Sequence, residues 1–341
     1  MQFNEILIKN NLFRTNIKPW HNPIIQTNNV NEGLLKQLRD NKYDITEKQY
    51  GIISSFNFSR KVFKSGKWTE LSKIARGLFI NNNTGDIIAR GYEKFFNYNE
   101  GKFNTDDYLK DNISYPIAVY RKYNGFLGIL GIYEDNLLFC SKSTVGGVYA
   151  DYFKNIFESE EHNLEYLKRF MKDNHICLIF EVIDYINDPH IVKYDRNKLI
   201  LLDAIFLEEK FNNMNYKTLQ RIGKECNFFV KEKIKEIYNY EELNNFIQEE
   251  ENDMKPQKEG WVLVDKNNYH FKLKCKWYKI WKNLRSLKDK IAHGKSINYS
   301  SLTNSLSTYF VNWCHKQDKE YIEKNSIIKL RDDFYEQTDY K

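Results

Sequence analysis

Short apolar runs bounded by turn residues fill the middle of the chain, and this pattern predicts a β-rich region. Apolar residues lead up to Lys122, the turn Tyr123-Asn124-Gly125 follows, and residues 126–133 and 137–140 resume the β pattern. The sequence therefore predicts a hairpin that carries Lys122 at its turn. Similar runs predict strands over residues 78–80, 87–89, 176–182, 198–206, 259–264 and 269–274.

Apolar residues at helical spacing frame these strands and continue towards the end of the chain. Beyond Lys279 the pattern turns helical, with apolar residues three or four positions apart at Ile280, Leu284, Leu287 and Ile291. Other predicted helices cover residues 30–40, 46–55, 149–172, 215–227 and 239–252. Strands and helices in this arrangement favour an α+β fold.

The composition is that of a folded protein of 341 residues. Hydrophobic residues make up 41% and aromatic residues 16%, which excludes intrinsic disorder. The five cysteines are widely spaced and contain no CxxC pair, which predicts reduced packing residues in a cytoplasmic protein. No apolar run is long enough for a signal peptide or a membrane span, so no membrane association is expected.

Charge is unevenly distributed, although 52 basic residues against 46 acidic ones leave only a mild excess. Residues 271–290 contain eight Lys or Arg residues and one acid, together with Trp277, Tyr278 and Trp281. Cations interleaved with aromatic rings suit a phosphate backbone with bases to stack on. A solvated helix face is the commoner explanation of such a charge run, and it stays open at this point.

Charged residues within apolar strands are candidates for chemistry, because burying a charge is costly without a partner. Lys122 ends an apolar strand beside Gly125, which suits a nucleophilic amine next to an approachable backbone. For this stretch alone, a surface turn is the simpler explanation. Glu181 interrupts one apolar run and Glu259 enters another, so each needs a cation or a metal unless it lies at the rim of its sheet.

Two pairs of cations are further candidates. Lys272 and Lys274 lie two residues apart in a strand and share one face, where a bound phosphate would relieve their repulsion. Arg76 precedes the strand at 78–80 and Lys94 follows the strand at 87–89, so their hairpin can present both side chains at one end. Ordinary surface charge is the alternative for this second pair.

The candidates occur in a definite order along the chain: Lys122-Tyr-Asn-Gly125, Phe180-Glu181, Glu259-Gly260-Trp-Val and Lys272-Leu-Lys274. This ordered set resembles the covalent nucleotidyltransferase superfamily, which comprises ATP-dependent DNA and RNA ligases and mRNA capping guanylyltransferases. Each motif is weak alone, whereas four in this order at strand boundaries form a strong signal.

Further segments narrow the resemblance to the bacteriophage T4 RNA ligase 1 family, from about Arg76 to Tyr278. They are Ala75-Arg76-Gly77, Glu93-Lys94-Phe95-Phe96-Asn97, Ser141-Lys142-Ser143, residues 198–206, and His270-Phe-Lys-Leu-Lys with Trp277-Tyr278. The phage pattern at the nucleophile is Lys-x-Asp-Gly, whereas this chain has Asn124. Fungal-type tRNA ligases are similar in carrying Asn there, so inactivity is not implied, but a role that needs a charge at this position is in doubt.

The resemblance implies an ATP-grasp-like nucleotidyltransferase domain of antiparallel sheets flanked by helices, over residues 1–276 with an N-terminal extension. Residues 277–341 are expected to form a small helical C-terminal domain that contacts RNA or tRNA. DNA ligases and capping enzymes have a β-barrel OB domain at this point instead, so the helical tail favours RNA ligation.

By the same resemblance, AMP attaches to Lys122, while Lys272, Lys274 and bound Mg²⁺ would lower the pKa of its amine and neutralise the α-phosphate. Glu181 and Glu259 would hold Mg²⁺, for which Mn²⁺ can substitute. The expected contacts to ATP and to phosphate come from Arg76, Lys94, Lys142, Gly125, Lys272 and Lys274.

The implied reaction seals RNA 5′-phosphate and 3′-hydroxyl ends with ATP, through lysyl-AMP and RNA-adenylate, and cleaved tRNA is a candidate substrate. The sequence contains no P-loop of the GxxxxGK[ST] type, so a separate kinase or phosphatase would heal the ends. The alternatives are a DNA ligase, a capping guanylyltransferase, or a non-catalytic RNA-binding protein on a ligase scaffold. The complete set of lysines and carboxylates argues against the last.

Overall fold

Three sheets form the body of the protein, and a group of helices follows them in the chain. The computed structural model describes residues 30–255, 258–302 and 304–340, so the predicted N-terminal extension before residue 30 lies outside the described residues. All strand pairings in the three sheets are antiparallel except the one between β9 (Lys198–Phe206) and β10 (Phe229–Val230). The α+β prediction is confirmed.

The first sheet has four strands in the order β1-β2-β3-β4. They are β1 (Ile45–Tyr50), β2 (Ile53–Phe58), β3 (Arg76–Asn81) and β4 (Ile87–Arg90). Three helices accompany this sheet, α1 (Val30–Asp40), α2 (Arg60–Ser65) and α3 (Glu70–Ile74). The α1 residues Leu34 and Leu38 pack against Phe56 and Leu78 in a shared core. The helix predicted over residues 30–40 is therefore confirmed.

The β1–β2 hairpin occupies residues 46–55, where a helix was predicted, so that prediction was wrong. Gly51 turns the chain with a φ of +60°, a left-handed conformation that interrupts a helix. Pairing of β2 with β3 satisfies the β2 backbone, and Phe56 is fully buried. These long-range contacts outweigh the local helical pattern.

The second sheet is the largest, with the order β10-β9-β8-β6-β7. Its remaining strands are β6 (Phe126–Tyr133), β7 (Asn136–Ser141) and β8 (Ile176–Ile183). One face packs against helices α5 (Val148–Glu158), α6 (Leu164–Asp173) and α7 (Tyr216–Cys226), through a core that includes Phe153, Leu167 and Phe180. This core anchors β8, the strand that carries Glu181.

The single helix predicted over residues 149–172 is two helices, α5 and α6. The break falls between Glu158 and Leu164, where the Asn163 side chain accepts a hydrogen bond from the Tyr166 N–H and caps α6. Both helices bury their apolar residues against the same sheet. The helical spacing therefore predicts both helices, but it does not predict the break between them.

The third sheet has the order β11-β5-β12-β13 and lies beside helices α4 (Asp106–Asn112) and α8 (Tyr240–Asn252). Its strands are β5 (Ile117–Lys122), β11 (Lys233–Ile237), β12 (Gly260–Val264) and β13 (His270–Lys274). Strand β12 lies between β5 and β13, and Gly260 is opposite both Lys122 and Lys274. This register brings the two lysines to one end of the sheet.

The turn after Lys122 is a crossing between sheets, so the predicted hairpin is wrong. Strand β5 pairs with β11 and β12, while β6 pairs with β7 and β8. A Cβ atom at Gly125 would lie 2.1 Å from the Val182 carbonyl oxygen of β8. Glycine is needed at position 125 because the β8 backbone leaves no room for a side chain there. The sequence predicts instead that a ligand approaches the Gly125 backbone.

The helical prediction for the C-terminal tail is confirmed. Its elements are α9 (Lys276–Ala292), a 3₁₀ turn (Tyr299–Ser301), α10 (Ser305–His315), α11 (Lys319–Lys324) and α12 (Ile327–Gln337). They share a core around Trp281, Phe310 and Phe334, which also takes in Ile191 and Val192 from the β8–β9 connection. The tail is thus packed onto a loop of the second sheet.

Three aromatic residues of α9 do not stack on bases as the charge pattern suggested. Trp277, Tyr278 and Trp281 are at most 5% exposed and belong to the helical core. The helix is amphipathic, so its aromatic residues face inward while most of its lysines face solvent.

All five cysteines are buried and unpaired, which agrees with the prediction of reduced packing residues. Within the described part of the chain, no helix is long and apolar enough to cross a membrane.

Candidate active site

Lys122 lies at the end of β5 in a buried ion cluster. Its Nζ atom is 3.1 Å from Glu259 Oε1, and Lys274 Nζ is 2.9 Å from the same oxygen. The side chains of Lys122 and Lys274 are 19% and 16% exposed, and that of Glu259 is 3% exposed. One carboxylate therefore holds the predicted nucleophile and one of the paired lysines together.

The charges of this cluster shift the pKa values of its members. Burial lowers the pKa of Lys122, but the Glu259 and Glu181 carboxylates outweigh burial and raise this pKa above its ordinary value. Burial likewise raises the pKa of Glu259, yet Lys122 and Lys274 lower it to about 2. Lys272 and Lys274 by themselves therefore do not lower the Lys122 pKa, because the carboxylates are the stronger neighbours, and the lowering expected from the two lysines together with bound Mg²⁺ stays a prediction.

Glu181 lies on β8 and meets the crossing segment after Lys122. Its Oε1 atom accepts a hydrogen bond of 2.8 Å from the Gly125 N–H. Burial raises the pKa of Glu181, Lys122 lowers it, and the charge of Glu259 adds to the rise. The anionic form of Glu181 is thus incompletely compensated by the cations around it.

Lys272 lies on the same face of β13 as Lys274, as predicted, and points towards a second group of cations. Its Nζ atom is 4.4 Å from the centre of the Phe95 ring. Burial lowers the pKa of Lys272 far below its ordinary value, and the charges of Lys94, Arg76, Lys122 and Lys274 lower it further. A bound polyanion would relieve this mutual repulsion.

Arg76, Lys94 and Lys142 complete this group from three separate segments of the chain. Arg76 begins β3 and donates a hydrogen bond of 3.2 Å to the Tyr92 carbonyl oxygen. Lys94 Nζ is 2.8 Å from Glu100 and 4.0 Å from the centre of the Phe96 ring. Lys142 follows β7, and burial together with Arg76 and Lys94 lowers its pKa to about 8. The predicted phosphate contacts thus converge.

Replacing Lys142 with methionine is expected to stabilise the folded protein by about 1–3 kcal/mol near neutral pH. The folded-state pKa of about 8 is below the reference value of 10.5, so the unfolded chain holds this proton more tightly. The cost to folding is therefore full below pH 8 and disappears as the pH rises to 10.5. Urea unfolding at pH 7 and pH 10 measures the change.

The exposed Lys110→Met on α4 is the matched control and should leave stability nearly unchanged at both pH values. A gain for Lys142→Met that is larger at pH 10 than at pH 7 would contradict the assignment.

Asn124, Tyr194 and Tyr278 form part of the site, although none of them is among the predicted catalytic, phosphate-binding or metal-binding residues. The Asn124 Nδ2 atom donates to Glu259 Oε2 at 2.9 Å and to the Tyr278 hydroxyl at 3.2 Å. Its backbone N–H donates to the Tyr194 hydroxyl at 2.9 Å. The sequence places Tyr278 only in the basic stretch and in a family segment, whereas Tyr194 lies in an irregular connection with no pattern to mark it.

The two carboxylates fit a divalent cation by their chemistry. Glu181 and Glu259 are coupled electrostatically, and their oxygen atoms are the ligands that Mg²⁺ and Mn²⁺ prefer. The raised pKa of Glu181 also indicates that more positive charge is tolerated at this position. Within the described ranges, no group of three His, Cys, Asp or Glu side chains is gathered for a metal, so further ligands would come from water or substrate oxygens.

A lysine paired with a buried glutamate, beside a second carboxylate and a group of cations, is the arrangement that the sequence predicts for a nucleotidyltransferase-type ligase. A family model described as RNA ligase, of the T4 RNA ligase 1 type, matches residues 74–278. The match covers more than half of the chain, so the protein belongs to this RNA ligase family.

Curated relatives in two yeasts are tRNA ligases. The chain is 26% identical over 174 residues to a tRNA ligase of Candida albicans. The alignment covers 42% of this chain and 20% of the Candida protein. It is 24% identical over 319 residues to tRNA ligase 1 of Schizosaccharomyces pombe, which covers 81% of this chain and 40% of that protein. The chain therefore spans less than half the length of these relatives.

Solved structures share the fold. One, assigned as an ATP-dependent DNA ligase of Aquifex aeolicus, has a TM-score of 0.53 at 16% identity and covers 90% of this chain and 78% of that one. An archaeal ATP-dependent RNA ligase has a TM-score of 0.51 at 10% identity, and the superposition covers 88% of this chain and 75% of the archaeal one. At these identities the likeness establishes the nucleotidyltransferase-type fold and nothing further.

Proposed function

We propose that the protein is an ATP-dependent RNA ligase that joins 5′-phosphate and 3′-hydroxyl ends of RNA. The main support is the placement of Lys122, which is partly buried, paired with Glu259 and next to the cation group of Lys272, Lys94, Arg76 and Lys142. A nucleophilic amine beside a polyanion site is what lysine adenylylation requires. A protein that only binds RNA has no need of buried carboxylates in contact with its lysines.

The first step of the proposed reaction uses the residues of the ion cluster. The Lys122 ammonium first releases a proton to water, and the free amine attacks the α-phosphorus of ATP. An N–P bond forms, the P–O bond to pyrophosphate breaks, and the second amine proton passes to water. Lys274 and Lys272 balance the charge of the α-phosphate, while Arg76, Lys94 and Lys142 bind the departing phosphates. Bound Mg²⁺ would neutralise Glu181, Glu259 and the phosphate, which removes the attraction that raises the pKa of Lys122.

The later steps transfer AMP to an RNA 5′-phosphate and then join that end to a 3′-hydroxyl, with release of AMP. Both are in-line displacements at phosphorus, for which positioning and charge stabilisation supply most of the catalysis. The same cations that neutralise ATP would serve the RNA phosphate, since both substrates place anionic oxygens next to Lys122.

We assign adenylyl transfer to residues 1–276 and RNA contacts to the helical region 277–341. Lys276, Lys279 and Lys282 are exposed on α9. Lys282 is one of the charges that lower the pKa of Lys274, after burial and Lys122, so this basic face begins at the active site. The yeast relatives are tRNA ligases, which suggests tRNA as the substrate. We further propose that the tRNA is cleaved and that a separate enzyme heals its ends, since the sequence contains no P-loop of the GxxxxGK[ST] type.

Labelling with ATP that carries ³²P at the α-phosphate tests the proposal. With Mg²⁺ and no RNA, the wild-type protein should become covalently labelled, and it should then seal a 5′-phosphorylated RNA in preference to a matched DNA nick. Retained RNA binding without any label would identify a non-catalytic binding protein. Labelling by GTP in place of ATP would favour a capping enzyme, and preference for DNA would favour a DNA ligase.

A further inference from the structure

The Asn124 side chain is fully hydrogen-bonded, and its partners come from both sides of the active site. Its Nδ2 atom donates to Glu259 and to Tyr278, as described above. Its Oδ1 atom accepts from the backbone N–H groups of Ile191 at 2.9 Å and Val192 at 3.0 Å. An amide has two N–H donors and two acceptor sites, and here all four are used.

This arrangement explains why an amide stands at this position. Asn124 is only 4% exposed, and its partners on one side are a carboxylate and a hydroxyl, while those on the other are two N–H groups. An aspartate would accept from the N–H groups but would place a second carboxylate against Glu259 with no donor between them. Asn124, which differs from the aspartate of the phage pattern, is therefore the residue whose donors and acceptors match its hydrogen-bond partners.

The segment that binds Asn124 is held in turn by the C-terminal helices. Ile191 and Val192 are at most 3% exposed and lie within the core of the helical region. Arg331 of α12 donates a hydrogen bond of 2.8 Å from Nη1 to the Ile191 carbonyl oxygen. Arg331 is 6% exposed, with its guanidinium 5.2 Å from the centre of the Trp277 ring. A buried, stacked arginine of this kind fixes the loop it binds.

A continuous chain of contacts thus runs from Arg331 through Ile191 and Asn124 to Glu259, which holds Lys122. We propose that Asn124 and Arg331 are positioning residues for adenylylation of Lys122, and that the helical C-terminal region is part of the nucleophile's support as well as an RNA-contacting element. This inference rests on the proposed function, because it concerns the first step of that reaction. Neither residue bonds to Lys122 itself, so each acts through Glu259.

The test is a double-mutant cycle on the rate of lysyl-AMP formation at saturating ATP without RNA. Asn124→Ala should slow this rate by roughly 100-fold and Arg331→Met by roughly tenfold, with the KM for ATP nearly unchanged. The double variant should be no slower than Asn124→Ala, because Arg331 acts only through Asn124. Losses that multiply in the double variant, or a wild-type rate in folded Arg331→Met, would overturn the proposal.

Controls separate this role from general stability and from the proposed reaction. Lys329→Met, on the same helix with an exposed side chain, should react at the wild-type rate. Arg331→Lys keeps the charge but withdraws the Nη1 donor, and it replaces Arg331→Met if that variant does not fold. A wild-type protein that forms no lysyl-AMP would refute the proposed function. Hydrogen exchange tests separately whether Arg331 holds the segment that binds Asn124. The Ile191 and Val192 amides should exchange faster in Arg331→Met, and unchanged exchange would refute the positioning role.

Discussion

Replacing Lys122 with alanine is expected to lower the rate of covalent AMP attachment by at least about 10⁴-fold, because the variant lacks the amine that forms the N–P bond. Label from α-labelled ATP, followed on denaturing gels, measures this rate. The same variant should still seal RNA that already carries a 5′-adenylate, since that step needs no lysyl-AMP.

Two substitutions test whether the loss comes from the nucleophile itself. Lys122→Arg keeps a cation opposite Glu259, so it should fold normally and remain as inactive as the alanine variant. Lys279→Ala, on the exposed face of α9, should label like the wild type. Undiminished labelling of Lys122→Ala would show that AMP is attached elsewhere.

Replacing Glu259 with glutamine is expected to slow adenylylation by roughly 10²–10³-fold and to destabilise the protein by about 3 kcal/mol near neutral pH. Glutamine keeps the shape of the side chain but removes the charge that holds Lys122 and Lys274 together. Two partly buried ammonium groups then lose their common partner.

The pH dependence of this variant follows from the direction of each pKa shift. The folded-state pKa of Glu259, about 2, is below the reference value of 4.5, so its contribution to stability is full above pH 4.5 and is lost as the pH falls towards 2. The stability difference between the wild type and Glu259→Gln should therefore shrink over that range in urea titrations. Glu259 also raises the pKa of Lys122, so the rising limb of kcat/KM against pH should move to lower pH in the variant.

Glu251→Gln provides the comparison for both effects. Glu251 pairs with Lys279 at a side-chain exposure of 30% and 46%, a partly solvated ion pair that contributes little. Its replacement should change stability by under about 1 kcal/mol and leave the pH profile in place. An equal loss in both variants would refute the special role of Glu259.

Several elements of the fold could be predicted because local pattern and tertiary environment agree. The strands β8 and β9 are apolar along almost their whole length, as central strands of a covered sheet must be, and their predicted limits differ from the observed ones by at most one residue. Lys272 and Lys274 share a face because side chains alternate along any strand. Such features depend only on the order of apolar and polar residues along the chain and on the alternation of side chains in a strand.

Other features depend on contacts between distant residues and could not be predicted from periodicity. A hairpin, β1–β2, forms where the local pattern predicts a helix, because its pairing with β3 is long-range. The turn after Lys122 fits the local pattern of a hairpin, but its two flanking strands belong to different sheets, β5 pairing with β12 and β6 with β8. In each case the local sequence allows two outcomes, and partner strands elsewhere in the chain select one.

The features of the candidate site also fall into those that the sequence determines and those that depend on tertiary contacts. By itself the sequence determined the residue types at the Lys122 site and their order, because nucleophile, carboxylate and cation are properties of single side chains. Only the tertiary structure decided that Glu259 raises the pKa of Lys122, and that Asn124 connects Glu259 to Ile191 and through it to the helical tail. A pKa and a hydrogen-bond network depend on distances of a few ångströms between residues far apart in the chain, and folding alone sets those distances.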